Sequence, residues 1–310
     1  MMGNMNKTRA LVLFSGGLDS ILAVKILEKQ NIEVTALSFV SYFFDGSKAK
    51  ISAEKNRIKM RSDNFSDSHC EVVKNPKRGY GSAMNPCIDC HLLMIREAGR
   101  IMQEEGFDFV ATGEILGQRP MSQNLQALKI IEKEAGLEGR LLRPLSAKLL
   151  DETLVEKGNL VDREQLLDIS GRSRKRQFEL AEEWGVEHYP SPGGGCVLTE
   201  VEFGKKLKKL LTEIKDPSAS DYVLLRAGRI FWQGDTRIIV GRSSDDNAKL
   251  KEIQEKGDIL IELKDFMGPM ALVRGDITDE IMEEAKKIVA GYSRHTKGVD
   301  YKNLKFTIKD

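Results

Sequence analysis

Apolar runs alternate with helical patterns along the first part of the chain. A continuous apolar stretch at residues 10–15 has the length of a strand, and residues 18–32 carry apolar side chains at helical spacing. Residues 33–40, EVTALSFV, are typical of a second buried strand. This strand–turn–helix–strand order predicts an α/β fold with a parallel sheet and helices on both of its faces.

The same alternation continues after a polar interval. Residues 42–66 are polar and basic, and we expect a solvated loop or helix there. An amphipathic helix is predicted after NPCIDC at residues 85–90, and FDFVATG then predicts a buried strand that ends at Thr112 and Gly113. Ligand loops of parallel sheets lie at the carboxyl ends of strands. Thr112 and Gly113 are therefore expected to face the same crevice as the loop after the first strand.

That first loop reads FSGGLDS and combines glycines, hydroxyls and one carboxylate: Ser15, Gly16, Gly17, Asp19 and Ser20. Glycines let the backbone turn sharply and expose successive N–H groups, which form an anion site together with the start of the following helix. A simple capped turn is the alternative interpretation. The sequence holds no G-x-x-x-x-G-K-[ST], so a Walker phosphate loop is excluded.

The S-G-G-x-D-S string resembles the signature of the PP-loop ATP pyrophosphatases, which split ATP into AMP and pyrophosphate. The resemblance implies that this loop holds ATP and that Asp19 organises Mg²⁺ and the triphosphate. Amidating ligases and a deazapurine synthase share the superfamily, so the loop alone does not fix the reaction.

Two further motifs make the resemblance more specific. GEILGQ and SQNL, within residues 113–125, resemble a segment of the 4-thiouridine synthases, and the N-P-C at 85–87 resembles the tRNA 2-thiouridylases. This likeness implies ATP contacts at Thr112, Gly113 and Gln118. It also implies the reaction: adenylation of a uridine carbonyl oxygen of tRNA, followed by sulfur transfer. The sulfur donor would be a cysteine desulfurase or free sulfide.

Cys87, Cys90 and Cys196 form a C-x-x-C pair plus one distant cysteine, and three interpretations are open. A zinc site would recruit Cys70 or His91 as a fourth ligand. A persulfide relay would use one cysteine as carrier and another as the releasing thiol. A [4Fe–4S] cluster would use all three thiolates, and resemblance to cluster-dependent tRNA thiolases favours it.

The cysteine roles follow from these interpretations. Asp19, Cys87 and Cys196 are the expected catalytic residues, and Cys87, Cys90 and Cys196 are the expected metal ligands. A helix start after Cys87 and Cys90 favours thiolates there, while residues 190–195 provide a flexible glycine-rich segment before Cys196.

A basic cluster and a domain boundary suggest an RNA partner. Arg172, Arg174, Lys175 and Arg176 gather at a predicted helix start, where cations oppose the helix dipole unless an anion is near. We predict contact with tRNA phosphates, against a solvated cationic face. The catalytic domain is expected over residues 1–217 and an NFACT-R-like, RNA-binding α+β domain over 218–310, where TRIIVGRSSDDNAKL carries the resemblance.

Composition narrows the setting. The 310 residues carry a net charge of +1, which argues neither for nor against nucleic acid. No apolar stretch approaches the ~20 residues of a membrane span, and no export signal is visible, so a cytoplasmic protein with free thiols and no membrane partner is expected. The sequence leaves open whether the protein forms a homodimer. An amidating or cyclising ligase and a non-catalytic nucleotide-sensing RNA-binding factor are the alternative functions.

Overall fold

Two five-stranded sheets organise the chain, one in each of the units Met1–Thr199 and Glu200–Asp310. The computed structural model describes residues 7–191 and 196–310. Within those two ranges, no helix is both long enough and apolar enough to cross a bilayer. Pro192 and the three glycines before Cys196, predicted to be irregular, lie outside the described residues.

The sheet of unit 1 is parallel throughout, with strand order β3-β2-β1-β4-β5. Its strands are β1 (Arg9–Leu13), β2 (Glu33–Val40), β3 (Met60–Asn64), β4 (Phe109–Thr112) and β5 (Leu141–Leu142). The chain order reverses at β1, which pairs with β2 on one side and with β4 on the other. In register, Leu13 at the end of β1 lies beside Thr112 at the end of β4. Ligands of open parallel sheets bind at such a switch point, outside the carboxyl ends of the strands.

Helices cover both faces of this sheet, as the sequence predicts. They are α1 (Leu18–Lys29), α2 (Ser47–Asn56), α3 (Ser66–Lys74), α4 (Cys87–Glu105), α5 (Leu125–Glu134), α6 (Leu154–Lys157) and α7 (Lys175–Glu183). Successive strand residues point to opposite faces. Accordingly Ala10 shares one buried cluster with Ile21 of α1, and Leu11 shares the other with Ile95 of α4. The predicted α/β class is confirmed.

The polar interval 42–66 is more ordered than a solvated loop. It contains helix α2 and strand β3, which lies at the edge of the sheet. The strand was missed because its MRSDN sequence is polar and none of its residues is fully buried. An edge strand with charged side chains is a common way to prevent pairing with another chain.

Unit 2 contains an antiparallel sheet of order β10-β8-β9-β7-β6. Its strands are β6 (Arg229–Gln233), β7 (Thr236–Val240), β8 (Ile259–Leu263), β9 (Ala271–Arg274) and β10 (Phe306–Lys309). Its helices are α8 (Val201–Glu213), α9 (Ala219–Leu224), α10 (Ser244–Ile253) and α11 (Asp279–Tyr292). This mixture of helices and an antiparallel sheet agrees with the α+β class expected for the second domain.

The units divide at Thr199 and Glu200, earlier than the expected boundary at 217/218. Helix α8 therefore belongs to unit 2, where the Lys209 ammonium lies 5.2 Å from the centre of the Trp232 ring. The Pro217-Ser218 signal marks a helix start instead, because Ser218 and Asp221 form a capping box at α9. The functional roles of the two parts stay predictions.

A buried ion network ties the elements of unit 2 together. The Asp221 carboxylate of α9 accepts from Arg237 at 2.8 Å and from Arg274 at 3.0 Å, and Arg274 also donates to Asp258 at 2.8 Å. All four side chains are buried. Although burial alone would lower the pKa of Arg274, its hydrogen bonds to the Asp258 and Asp221 carboxylates raise that pKa above the ordinary arginine value. Removing one partner would leave buried charges uncompensated.

Arg274→Met is therefore expected to lower the free energy of unfolding of unit 2 by about 3–5 kcal/mol. Lys287→Met is the matched control, since its exposed pair with Glu284 is expected to contribute under about 1 kcal/mol. The chain has two tryptophans, so a Trp184→Phe background makes Trp232 fluorescence report unit 2 alone during urea unfolding. Equal losses in the two variants would show that the network contributes little.

Candidate active site

The loop between β1 and α1 is held in shape by its own hydroxyls. Ser15 Oγ accepts from the Gly17 amide at 3.3 Å, and Ser20 Oγ donates to the Gly17 carbonyl at 2.8 Å. Gly17 is the N-cap of α1 and supplies no side-chain cap. The start of α1 is therefore free of a side-chain acceptor and suited to receive an anion.

Two glycines permit the close backbone contacts that position this loop. Gly16 has a φ of +75°, and a Cβ there would lie 2.7 Å from Ala49 Cα of α2. A Cβ on Gly113, just after β4, would lie 2.7 Å from the Asp19 carbonyl carbon. The expected meeting of Thr112–Gly113 with the first loop is thus found, as direct backbone contact.

Asp19 lies where three segments converge. Its Oδ2 accepts from Gln118 Nε2 at 3.1 Å and from Arg174 Nη2 at 2.7 Å. Its Oδ1 is buried and lacks a hydrogen-bond partner. An orphaned carboxylate oxygen in a phosphate-type loop fits the hard oxygen ligand that Mg²⁺ prefers, so the described residues suit the expected Mg²⁺ at Asp19.

Arg174 corrects one expectation from the basic cluster. The sequence grouped it with Arg172, Lys175 and Arg176 as an RNA contact, but its guanidinium is directed at Asp19 and is only a quarter exposed. The other three side chains are exposed, and Arg176 pairs with Glu179 at 3.3 Å. Charge type alone did not reveal that one of four neighbouring cations faces a carboxylate 155 residues earlier.

A buried carboxylate lies beside the loop between β1 and α1. Glu114 Oε1 is 2.8 Å from His91 Nδ1, and its Oε2 accepts from Arg143 Nε at 3.1 Å and from Thr112 Oγ1 at 3.1 Å. Burial alone would raise the pKa of Glu114, but the His91 hydrogen bond and the Arg143 charge hold it at about 2. Arg143 is buried as well and also pairs with Glu132 at 2.9 Å.

This group was not predicted as functional, although fragments of it stand in the quoted motifs. Glu114 directly follows the predicted Gly113 and is part of the GEILGQ motif, whereas Arg143 lies in LLRPLS at residues 141–146. His91 was considered only as a zinc ligand. One signal was available in the sequence. The carboxylate of Glu114 directly follows the predicted buried strand FDFVATG, and a carboxylate at such a position needs a cation nearby.

The three predicted cysteines are near one another. Cys87 is the first residue of α4 and Cys90 lies in its first turn, rather than before the helix. Burial raises the pKa of Cys90, and the charges of Cys196 and Cys87 raise it further. Protein atoms around the exposed Cys196 raise its pKa too, and Cys87 adds to that effect. The three thiols are therefore within electrostatic reach of each other, and the expectation of a stabilised thiolate is wrong for Cys90.

Each α4 cysteine has its own neighbour. Cys90 Sγ is 2.9 Å from His69 Nε2, while Asn85 Nδ2 donates to Cys87 Sγ at 3.1 Å. His69 is buried and stacks on Phe65, and burial lowers its pKa to about 4. His69 belongs to no motif, so nothing in the sequence pattern pointed to it. Cys70, next to His69 on α3, lies near Tyr42, whose pKa is raised chiefly by its hydrogen bond to Asp67, with burial and the charges of Asp67 and Cys70 adding to the effect.

The predicted three-thiolate metal site is not formed by these positions. Across residues 7–191 and 196–310, no three His, Cys, Asp or Glu side chains are arranged to hold one metal ion. Cys90 is instead directed at His69. The described side chains do not fit a cluster as they stand, and the cluster and zinc assignments stay predictions of the sequence.

Two family models match parts of the chain. Residues 5–155 match the family model described as thiamine biosynthesis protein (ThiI), and residues 228–309 match the NFACT protein RNA binding domain. Residues 5–155 form a ThiI-family PP-loop domain. The ThiI domain includes the Asp19 loop, Gln118, Glu114 and the C-x-x-C pair, whereas Arg174 and Cys196 lie beyond the matched range.

Individual relatives resemble the ThiI domain over part of their length. A "Probable tRNA sulfurtransferase" from Finegoldia magna is 31% identical over 148 residues, which cover 45% of this chain and 36% of that protein. One from Thermococcus kodakarensis is 24% identical and covers 56% and 42%. The chain thus spans well under half the length of these curated relatives. A solved 4-thiouridine synthetase, in complex with RNA and bound ATP, is 23% identical, covers 58% and 52%, and has a TM-score of 0.35.

The ionised Glu114 of the ThiI domain makes stability depend on pH. Its folded pKa of about 2 lies below the ordinary value of 4.5, so its contribution is complete above pH 4.5 and is lost as the pH falls towards 2. Glu114→Gln is expected to remove about 1 kcal/mol of the stability lost between pH 5 and 3.5. Urea unfolding at both pH values, with the exposed Glu104→Gln as control, measures this. A Glu114→Gln protein with the wild-type pH dependence would contradict the assignment.

Proposed function

We propose that the protein is an ATP-dependent tRNA sulfurtransferase. One observation carries the proposal: the thiol-bearing start of α4 is hydrogen-bonded to the nucleotide loop region. His91, next to Cys90, contacts Glu114, and Glu114 follows Gly113, whose backbone abuts Asp19. A second link runs from Asn85, beside Cys87, to Met121 at 3.8 Å, three residues after the Asp19 partner Gln118. The residues proposed to activate the base, around Asp19, are therefore connected to the cysteines proposed to deliver sulfur, at the start of α4.

The first half-reaction uses the loop and Asp19. A uridine carbonyl oxygen is a poor leaving group, and transfer of AMP onto it makes it a good one. The start of α1 and the loop amides bind the phosphates, with Ser15, Gly16, Gly17 and Ser20 shaping the loop and Thr112, Gly113 and Gln118 completing the site. Asp19 would hold Mg²⁺, which would supply positive charge to stabilise the departing pyrophosphate.

The second half-reaction uses thiols. A persulfide on Cys87 or Cys196 attacks the activated ring carbon through its outer sulfur, and AMP departs. The other thiol then attacks the inner sulfur, which frees the thiocarbonyl base and leaves a Cys87–Cys196 disulfide. A cellular dithiol reduces that disulfide before a cysteine desulfurase delivers new persulfide sulfur to the free thiol. Alternatively, free sulfide attacks the disulfide itself, which gives a persulfide on one cysteine and a thiol on the other. Exposure of Cys196 supports access by such partners.

Positive side chains outside the ATP site support tRNA binding. Arg172, Lys175 and Arg176 are exposed at the start of α7. We assign them and unit 2 to tRNA phosphates, since the NFACT match covers most of that unit. The target base has to leave its stack to reach the ATP site.

Separate measurement of the half-reactions tests the proposal. Asp19→Ala is expected to abolish tRNA-dependent release of pyrophosphate, because it removes the metal carboxylate. Cys87→Ala and Cys196→Ala are expected to keep pyrophosphate release at about the wild-type rate while losing thiolated nucleosides, measured by mass spectrometry of tRNA, by at least about 100-fold. Cys70→Ala, near Tyr42, is the matched cysteine control and should retain both steps.

Other outcomes identify the alternatives. Iron in anaerobically purified protein, lost with any of Cys87, Cys90 or Cys196, would replace the relay by a [4Fe–4S] cluster. Zinc lost with Cys70→Ala would make the site structural. ATP consumption that needs ammonia and produces no thiolated base would indicate an amidating or cyclising ligase. Nucleotide binding without any turnover would indicate a sensing factor.

Removal of the exposed cations tests the tRNA surface. The triple variant Arg172→Ala, Lys175→Ala and Arg176→Ala is expected to weaken tRNA binding and to reduce the slope of log K against log salt by roughly 2, because each phosphate contact releases counterions. Binding titrations at several salt concentrations measure both quantities.

A matched triple variant removes the same charge elsewhere on unit 1. It carries Arg100→Ala, Lys133→Ala and Lys157→Ala, all at exposed positions. We expect this variant to keep the wild-type slope. Equal slopes in all three proteins would make the α7 cations a solvated face.

A further inference from the structure

The Asp19 carboxylate is neutralised by a cation of its own chain. Arg174 Nη2 lies 2.7 Å from Asp19 Oδ2, and Gln118 shares that same oxygen at 3.1 Å. The sequence assigns Asp19 to a metal and Arg174 to RNA. The arrangement instead places the arginine on the carboxylate that is expected to hold the metal.

This ion pair leaves several polar atoms unsatisfied. Asp19 Oδ1 and Arg174 Nε are both buried without a hydrogen-bond partner. Gln177, one helical turn after Arg174, is fully buried, and neither atom of its amide has a partner. Buried polar groups are nearly always paired, because an unpaired one is destabilising. Orphaned atoms on both partners of one ion pair indicate a site that a ligand completes.

The pair is also free to open. The side chains of Arg174 and Asp19 are 25% and 19% exposed, so the guanidinium can move without crossing the packed core. Arg174 is the N-cap residue of α7, where a cation is disfavoured by the helix dipole. An anion bound near the start of α7 would therefore attract the Arg174 guanidinium.

We propose that Arg174 is a phosphate-binding residue that exchanges partners with the metal. Without ligand it neutralises Asp19. When the metal–ATP complex binds, the cation takes the Asp19 carboxylate and the Arg174 guanidinium turns to the polyphosphate. This inference rests on the proposed ATP site, and it separates Arg174 from the tRNA-binding cations beside it.

Exchange explains how one loop accepts both a carboxylate and an anion. A carboxylate facing a polyphosphate is repulsive unless a cation lies between them. Arginine presents several N–H donors in a plane, so it can bind a carboxylate in one state and a phosphate in the other. The exchange keeps the charge of the site balanced in both states.

Binding of metal alone provides the first test. Mn²⁺ is used without nucleotide, and its affinity is measured by electron paramagnetic resonance of the free ion. Because Arg174 competes for Asp19, Arg174→Ala and Arg174→Gln are expected to bind Mn²⁺ about tenfold more tightly than the wild type. Arg100→Ala is the matched control, since it removes an exposed arginine that pairs with Glu97 and Glu104, and it should leave Mn²⁺ affinity unchanged.

Binding of nucleotide provides the second test and has the opposite sign. Loss of Arg174 is expected to weaken Mn²⁺–ATP binding about tenfold to a hundredfold, since a charged hydrogen bond to phosphate disappears. Affinity for AMP, which lacks the outer phosphates, should change less than about threefold. Arg174→Lys should recover part of the ATP affinity, because it restores charge without the planar donors.

The outcomes separate this inference from the proposed function. Wild-type protein that fails to bind Mn²⁺–ATP would overturn both. Normal wild-type binding with unchanged metal and ATP affinities in the variants would overturn the exchange alone. Metal and ATP affinities that weaken together, with a lower melting temperature, would make Arg174 a structural partner of Asp19 and would also contradict the exchange.

Discussion

The site depends on the parallel pairing of β1 with β4 and on the absence of a side chain where these strands end. The register sets Leu13 beside Thr112, and the next residue after β4 is Gly113, which leaves room for the backbone of α1 at Asp19. Any larger residue at position 113 would force the end of β4 away from the start of α1. The Asp19 carboxylate, its two polar partners and the buried Glu114 group all derive their positions from this contact.

Two carboxylates near the site each have a cation beside them. Glu114 pairs with Arg143 and contacts His91, and Asp19 pairs with Arg174. The two ion pairs differ in how fully their polar atoms are hydrogen-bonded. Glu114 and Arg143 have several partners and are almost fully buried, which makes them a rigid support. The Asp19 pair is partly exposed and has unsatisfied atoms, which suits a site that changes its partners.

The sequence predicts the fold well where periodicity is strong. The EVTALSFV strand and the amphipathic helix α4 were found because their apolar spacing matches a single structure type. Strand β3 was missed, because a polar edge strand has no apolar period. The site was predictable as a set of residue types at the carboxyl ends of strands. Pairings between distant segments, such as Arg174 with Asp19 or His69 with Cys90, are fixed by packing that no local pattern encodes.

Helix α2 connects the loop between β1 and α1 to the segment around His188 of the same unit. Its Ala49 backbone abuts Gly16, Ser52 Oγ donates to the Gly16 carbonyl at 2.9 Å, and Asn56 at its end donates to the His188 carbonyl at 2.7 Å. The loop therefore cannot shift towards α2 unless the helix moves as a body. Such a shift would also displace the His188 carbonyl, so α2 couples the position of the loop to that of the segment around His188.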